Sequence, residues 1–150
     1  MTQTKNFDSI QIGDMLPTVE MPPLSRLTLA LYCGASGDHN PVHVDTDFAT
    51  ASGLPDVIAH GMLSMAWMGR VLTQWASPLA LREFGVRFAA ITHVGDCITS
   101  SGKVLEKFER NGEQCVRLAL TSTNQHQQVR LTGDAVISLS DMTTGLRHGK

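Results

Sequence analysis

Asp38, Asn40 and His43 fall within six residues of one another, in Ser36-Gly37-Asp38-His39-Asn40-Pro41-Val42-His43-Val44-Asp45. The segment has neither helical nor strand periodicity and reads as a loop. Gly37 loosens the backbone ahead of these residues, and Pro41 stiffens it between Asn40 and His43. A carboxylate and an imidazole on one rigid loop suit general acid–base chemistry, because both can titrate around neutral pH and be held at one point. A second candidate is His60-Gly61-Met62, which opens a long apolar run. The start of a helix presents unpaired N–H groups and the positive end of its dipole. Gly61 would let a ligand approach that backbone closely, so its N–H could bind a developing oxyanion.

Residue types alone leave plainer readings open. Asp38 and His43 could be solvated loop residues, Gly61 a packing glycine and His60 a helix cap. His39, His43, His60 and Asp45 raise a metal site. They lack the His-x-x-x-His spacing of a helical site and no Cys lies near, so no metal is expected. Cys33, Cys97 and Cys115 read as small core hydrophobes, and Trp67 and Trp75 as core filling. Neither Gly-x-Ser-x-Gly nor Gly-x-Gly-x-x-Gly occurs, which argues against a hydrolase nucleophile and a nucleotide cofactor.

The elements that must position this loop follow from periodicity. Met15 to Met21 reads as a short strand stopped by Pro22-Pro23, hence an edge strand or lead-in. Ser25 is an N-cap for a helix carrying Leu27, Ala30 and Leu31, with Gly34 and Gly37 marking its end. Asp45 or Thr46 caps a short helical turn. From Met62 to Trp75 almost no polar face remains, which predicts a helix surrounded by the rest of the chain. Phe84, Val86 and Phe88 alternate with polar residues as a strand. Cys97 to Lys107 is strand-like and leads into Asn111-Gly112, a hairpin signal. Val116, Leu118 and Leu120 form the return strand. Residues Thr123 to Gln127 form a polar turn, and Val129 to Leu139 a last strand in which Gly133 implies a bulge or close approach. The tail from Met142 is expected to be loose. Helices first and a meander afterwards imply an α+β fold, an antiparallel sheet curled round one long central apolar helix.

At 150 residues, 42% hydrophobic and 17% charged, the chain suits one globular domain over residues 1–150. Its net charge of −2 has no block of one sign, which argues against nucleic acid or an anionic membrane as partner. Three unpaired-looking cysteines favour a reducing, cytoplasmic setting. No apolar leader follows Met1, and the longest apolar run is too short to span a bilayer.

The Ser36–Asp45 stretch resembles the hydratase motif of MaoC-like, (R)-specific enoyl-thioester hydratases and dehydratases. Ile58-Ala59-His60-Gly61-Met62-Leu63 resembles the start of that family's central helix, and Val86-Arg87-Phe88 with Val94-Gly95-Asp96 its strand and turn. One departure is Thr46, which precedes Asp47-Phe48 where the family often carries a proline. The resemblance implies the hot-dog fold, and a lyase of acyl-CoA and fatty acid metabolism. It implies Asp38 and His43 as the catalytic pair, Asn40 as their support and the Gly61 N–H as oxyanion donor. The implied reaction is reversible syn hydration of trans-2-enoyl thioesters to (R)-3-hydroxyacyl thioesters, with no cofactor. The substrate would carry coenzyme A or an acyl carrier protein. A homodimer is expected, with a heterodimer as the other possibility. Two alternatives stay open: a non-catalytic acyl-binding subunit of a heterodimeric dehydratase, and an acyl-thioester hydrolase. The second would need a nucleophile or base on the central helix, which offers only Ser64, Thr73 and Gln74.

Overall fold

The computed structural model describes residues 6–140; the tail from Met142, expected to be loose, lies outside them. Five antiparallel strands are laid out in the order β1 (Val19–Glu20), β3 (Thr99–Arg110), β4 (Glu113–Thr123), β5 (Val129–Ser138), β2 (Leu81–Phe88). Helices α1 (Arg26–Ser36), α2 (Thr46–Ala51) and α3 (Gly61–Trp75) all precede β2. The α+β expectation therefore holds, with the two short or irregular strands at the edges.

Local signals account for most boundaries. The Ser25 side chain accepts from the Thr28 N–H and starts α1, while Gly37, at φ 75°, ends it in the left-handed region. Gly34 lies inside the helix and stops nothing. The Asp45 side chain accepts from the Phe48 N–H and starts α2. Asn111 and Gly112, at φ 54° and 77°, turn β3 into β4 as expected. Register irregularities interrupt the β2–β5, β3–β4 and β4–β5 pairings, and such bulges bend and twist a sheet. Gly133 answers the close-approach expectation: a Cβ there would sit 2.7 Å from the Gly85 carbonyl oxygen and 3.0 Å from the Met68 sulfur. The strand expected over Met15–Met21 shrinks to Val19–Glu20 with an isolated bridge from Met15 to Lys103, because the prolines that follow cannot extend a ladder.

Helix α3 divides two apolar clusters. Met68, Val71, Leu72 and Trp75 pack on Val104, Val116, Leu118, Leu120 and Leu131 of the sheet. Leu63 and Trp67 pack with Leu24, Leu29, Ala49, Val57 and Ala59 under α1 and α2. Both tryptophans are thus core residues. The helix is not surrounded, however. Met62 is 58% exposed, and Ala66, Arg70 and Thr73 continue the open stripe, because a single curled sheet covers one side only. The cysteines also differ from expectation, since only Cys115 is buried and Cys33 and Cys97 are half-buried at element ends.

A buried polar knot ties the far turn to β5. Asp96 accepts from the Arg130 Nε at 3.0 Å, the Asn124 amide at 3.2 Å and the His93 N–H at 3.0 Å. Burial alone would raise the Asp96 carboxyl, but these donors and the guanidinium charge together hold it below its ordinary value. The Arg130 carbonyl in turn accepts from the N–H groups of Ala89 and Ala90. This knot fixes the stretch that ends at His93, of which residues 89–92 form a wall of the site described next.

Candidate active site

The loop between α1 and α2 folds on its own polar side chains. The Asn40 N–H donates to Asp38 Oδ1 at 3.3 Å, and Asn40 Oδ1 accepts from the Val42 N–H at 3.1 Å, which starts a 3-10 turn over Pro41–His43. The turn is pinned from outside as well. The Ile58 N–H donates to the Val42 carbonyl at 3.2 Å, and His43 Nδ1 lies 2.8 Å from the Ile58 carbonyl oxygen. A carbonyl only accepts, so Nδ1 carries the proton and His43 Nε2 is left with a lone pair. That Nε2 faces Asp38 Oδ2 across 3.9 Å, beyond direct hydrogen bonding. His43 is 8% exposed, whereas the Asp38 side chain is half exposed, so the pair opens to solvent on the carboxylate side.

His60 completes the cluster. It is 0% exposed, its ring lies face to face with His43 at 3.8 Å between centroids and 25° between planes, and its Nε2 is 3.3 Å from the Asp38 carbonyl oxygen. Burial, then the His43 charge, push its titration below the ordinary histidine range, against a smaller upward pull from Asp38. His60 occupies the cap position of α3 but makes no side-chain cap bond, so the cap expected of it is not formed. Among the described residues, no side-chain acceptor meets the first N–H groups of α3, that of Gly61 included, at the positive end of the helix.

Gly61 also borders a cavity of about 320 Å³, walled by Ile58, Ala59, Ser64, Phe88, Thr92 and Leu131 among others. Neither Asp38 nor His43 lines it; they meet its wall through Ile58, whose carbonyl holds the His43 ring. The arrangement is thus a carboxylate and an imidazole separated by Ile58 from a mainly apolar cavity, with the N-terminus of α3 beside it. That suits chemistry on an elongated carbonyl compound that gains negative charge at oxygen.

Donor atoms of Asp38, His43 and His60 lie within 4.8 Å of one another, so a metal needs testing against geometry. The lone pairs lie in the ring planes, and two nearly parallel planes 3.8 Å apart give two imidazoles poor aim at one ion. His39 is exposed and Asp45 is engaged in capping α2, so neither joins the cluster. Sequence reasoning missed two contributors, the His43–His60 stack and the Asp96–Arg130 knot. His60 stands 17 positions beyond His43, and no local pattern reports a meeting of rings. No alternation reports the buried Arg130 either, since Leu131 beside it is buried as well while Val129 is 40% exposed.

A family model described as MaoC like domain matches residues 9–126. The (R)-specific enoyl-CoA hydratase of Rhodospirillum rubrum is 35% identical over 97 residues, 63% of this chain and 66% of that protein. Fatty acid synthase subunit beta of Saccharomyces cerevisiae is 29% identical over 142 residues, 85% of this chain but 6% of that much longer protein. The chain thus spans under two thirds of the length of these relatives. Among solved structures, the unliganded R-hydratase PhaJ1 from Pseudomonas aeruginosa superposes with a TM-score of 0.76 at 28% identity, over 87% of this chain and 83% of that one. The curled sheet and packed helix are accordingly a hot-dog fold.

Proposed function

The chain belongs to the MaoC-like dehydratase family, and on that premise we propose that it adds water reversibly across trans-2-enoyl thioesters to give (R)-3-hydroxyacyl thioesters, as one domain over residues 1–150. The observation that carries the reading is the 3.9 Å facing of His43 Nε2 and Asp38 Oδ2. One water can touch both groups across that gap.

The steps follow from which atom can do what. Water held between Asp38 and His43 loses a proton to the pair as its oxygen attacks the β carbon. The thioester oxygen gains charge and is met by the Gly61 N–H at the uncapped start of α3. The α carbon then takes a proton from the same pair, which restores it. Asn40 acts through structure: its N–H steadies Asp38 and its side chain starts the turn that carries His43. The thioester itself acidifies the α position, so the chemistry asks for no metal or redox cofactor. The acyl group would enter the cavity beside Gly61, with coenzyme A or a carrier-protein arm outside. A second copy of the chain, or a related subunit, would cover the open stripe of α3 at Met62 and Ala66.

No helix among the described residues is long and apolar enough to cross a membrane. The test is to incubate the purified chain with crotonyl-coenzyme A. Loss of enoyl absorbance without thiol release is the expected result. Thiol release would mean hydrolysis, and an unchanged spectrum would mean that the chain only binds acyl groups or needs a different subunit.

A further inference from the structure

The hydration scheme leaves His60 without a task, yet this fully buried side chain touches both members of the pair. It stands in extended backbone, φ −61° and ψ 134°, immediately before α3. From α1 the Tyr32 ring meets it edge-on at 4.8 Å, and from the turn the His43 ring covers its face at 3.8 Å. Its Nε2 lies 3.3 Å from the Asp38 carbonyl oxygen, which can only accept, so Nε2 carries the proton. Nδ1 then holds a lone pair in a buried place with no hydrogen-bond partner among the described residues. Leaving a buried acceptor unpaired costs free energy, and packing alone would be served better by a purely apolar ring. The imidazole must be kept for something else.

We propose, resting on the hydration reading above, that His60 is a positioning residue for the Asp38–His43 pair. Its ring is the surface on which the His43 imidazole lies, and its Nε2–H holds the Asp38 main chain. One side chain thus sets both sides of the 3.9 Å gap. This matters because the Asp38 carboxylate is half exposed and is otherwise steadied by loop contacts alone. A displacement of about 1 Å between reacting groups costs roughly 100-fold in rate. The two histidines hold opposite tautomers, Nδ1–H in His43 and Nε2–H in His60, so the basic nitrogen that faces Asp38 is that of His43, while that of His60 is buried.

Three variants separate the two contacts. His60→Gln keeps an N–H near Nε2 without the ring, His60→Phe keeps the ring without the donor, and His60→Ala keeps neither. In crotonyl-coenzyme A hydration, kcat should fall roughly 10- to 100-fold in the Gln and Phe variants and further in Ala, the usual scale for groups that orient reactive ones. KM should stay within about threefold, since acyl binding lies in the cavity beyond Ile58. A merely structural role would lower the folded fraction and leave its kcat unchanged. Nitrogen NMR of the intact wild-type protein at neutral pH should show the two opposite tautomers, a reading that needs no variant to fold. Folded Gln and Phe variants with wild-type kcat, or a His60 in the same tautomer as His43, would overturn the role. If the wild-type chain hydrates nothing, the hydration reading fails and the positioning role falls with it; if it does and only the His60 variants are unaffected, the positioning role fails alone.

Discussion

Toward its C-terminal end α3 meets the sheet through Met68, Val71, Leu72 and Trp75, none more than 6% exposed and all among apolar neighbours. At its N-terminal end the same helix meets two stacked histidines, an aspartate loop and its own uncapped N–H groups. The first arrangement is non-directional: any well-shaped apolar surface serves. The second is directional and carries a cost, since His60 Nδ1 is buried without a partner and no side chain closes the helix. Leu63 and Trp67 anchor the N-terminal half in a second apolar cluster, so the proposed chemistry occupies only the outermost turn, where local rules are expected to be broken. Changes at the two ends should therefore separate activity from stability.

The largest effect should come from the pair. Asp38→Asn and His43→Gln should each lower turnover by roughly two to four decades, the range for a positioned acid or base. Melting temperature should scarcely move for Asp38→Asn, where Asn can still accept the Asn40 N–H, and should fall modestly for His43→Gln, which loses the stack on His60 and disturbs the bond to the Ile58 carbonyl. Steady-state kinetics beside a thermal melt checks both halves. A variant that keeps wild-type turnover would remove its residue from the mechanism.

Next comes Gly61→Pro, which deletes the proposed oxyanion donor at a helix position that tolerates proline. The preceding His60, at ψ 134°, already has the extended backbone that a following proline requires. Turnover should fall by roughly 100- to 1000-fold with a modest change in melting. Gly61→Ala keeps the N–H, but its methyl would lie 3.2 Å from the half-exposed Phe88 ring, which must shift slightly; about a tenfold loss or less is expected. An active, folded Pro variant would place the donor elsewhere.

The other end should give the opposite result. Gly133→Ala drives a methyl into the Gly85 carbonyl and the Met68 sulfur, and overpacking of this kind costs about 1–3 kcal/mol. Urea melts should register that loss while kcat per folded molecule stays near wild type. A loss of activity at full stability would erase the contrast between the two ends.

A smaller effect is expected in pH. The unfolded chain protonates His60 near the ordinary histidine value of about 6.5, whereas the folded chain resists until lower pH. The unfolded state then binds more protons, so stability declines as pH falls below about 6.5, by at most about 1.4 kcal/mol per pH unit for one site. His60→Gln should flatten the wild-type decline between about pH 6.5 and the lower folded value. Asp96 acts in the same direction further down, losing its contribution as pH falls through its lowered folded value. Parallel slopes for wild type and His60→Gln would show that His60 titrates normally.

Much of this was legible in the sequence, for reasons tied to range. The Ser25 and Asp45 caps and the Asn111-Gly112 turn act over two or three residues, where residue type and spacing are decisive. Period-two alternation located β4, whose Val116, Leu118 and Leu120 all face the core. What could not be read acts across long separations. The His43–His60 stack and the Asp96–Arg130 pair depend on how elements dock, and either histidine by itself is an ordinary loop residue. The open stripe of α3 was hidden for a related reason, since an apolar helix reads alike whether this chain or another molecule covers it.

The central claim is that one loop supplies both the water and the proton. Asp38 and His43 stand on the same loop and face the same gap, so oxygen and hydrogen should reach the enoyl group from one side. Hydration of crotonyl-coenzyme A in heavy water, with the relative configuration of the two new centres read from proton NMR coupling, tests this directly. Syn addition is the predicted result. Anti addition would mean that the proton comes from outside the loop, and the Asp38–His43 mechanism would be contradicted.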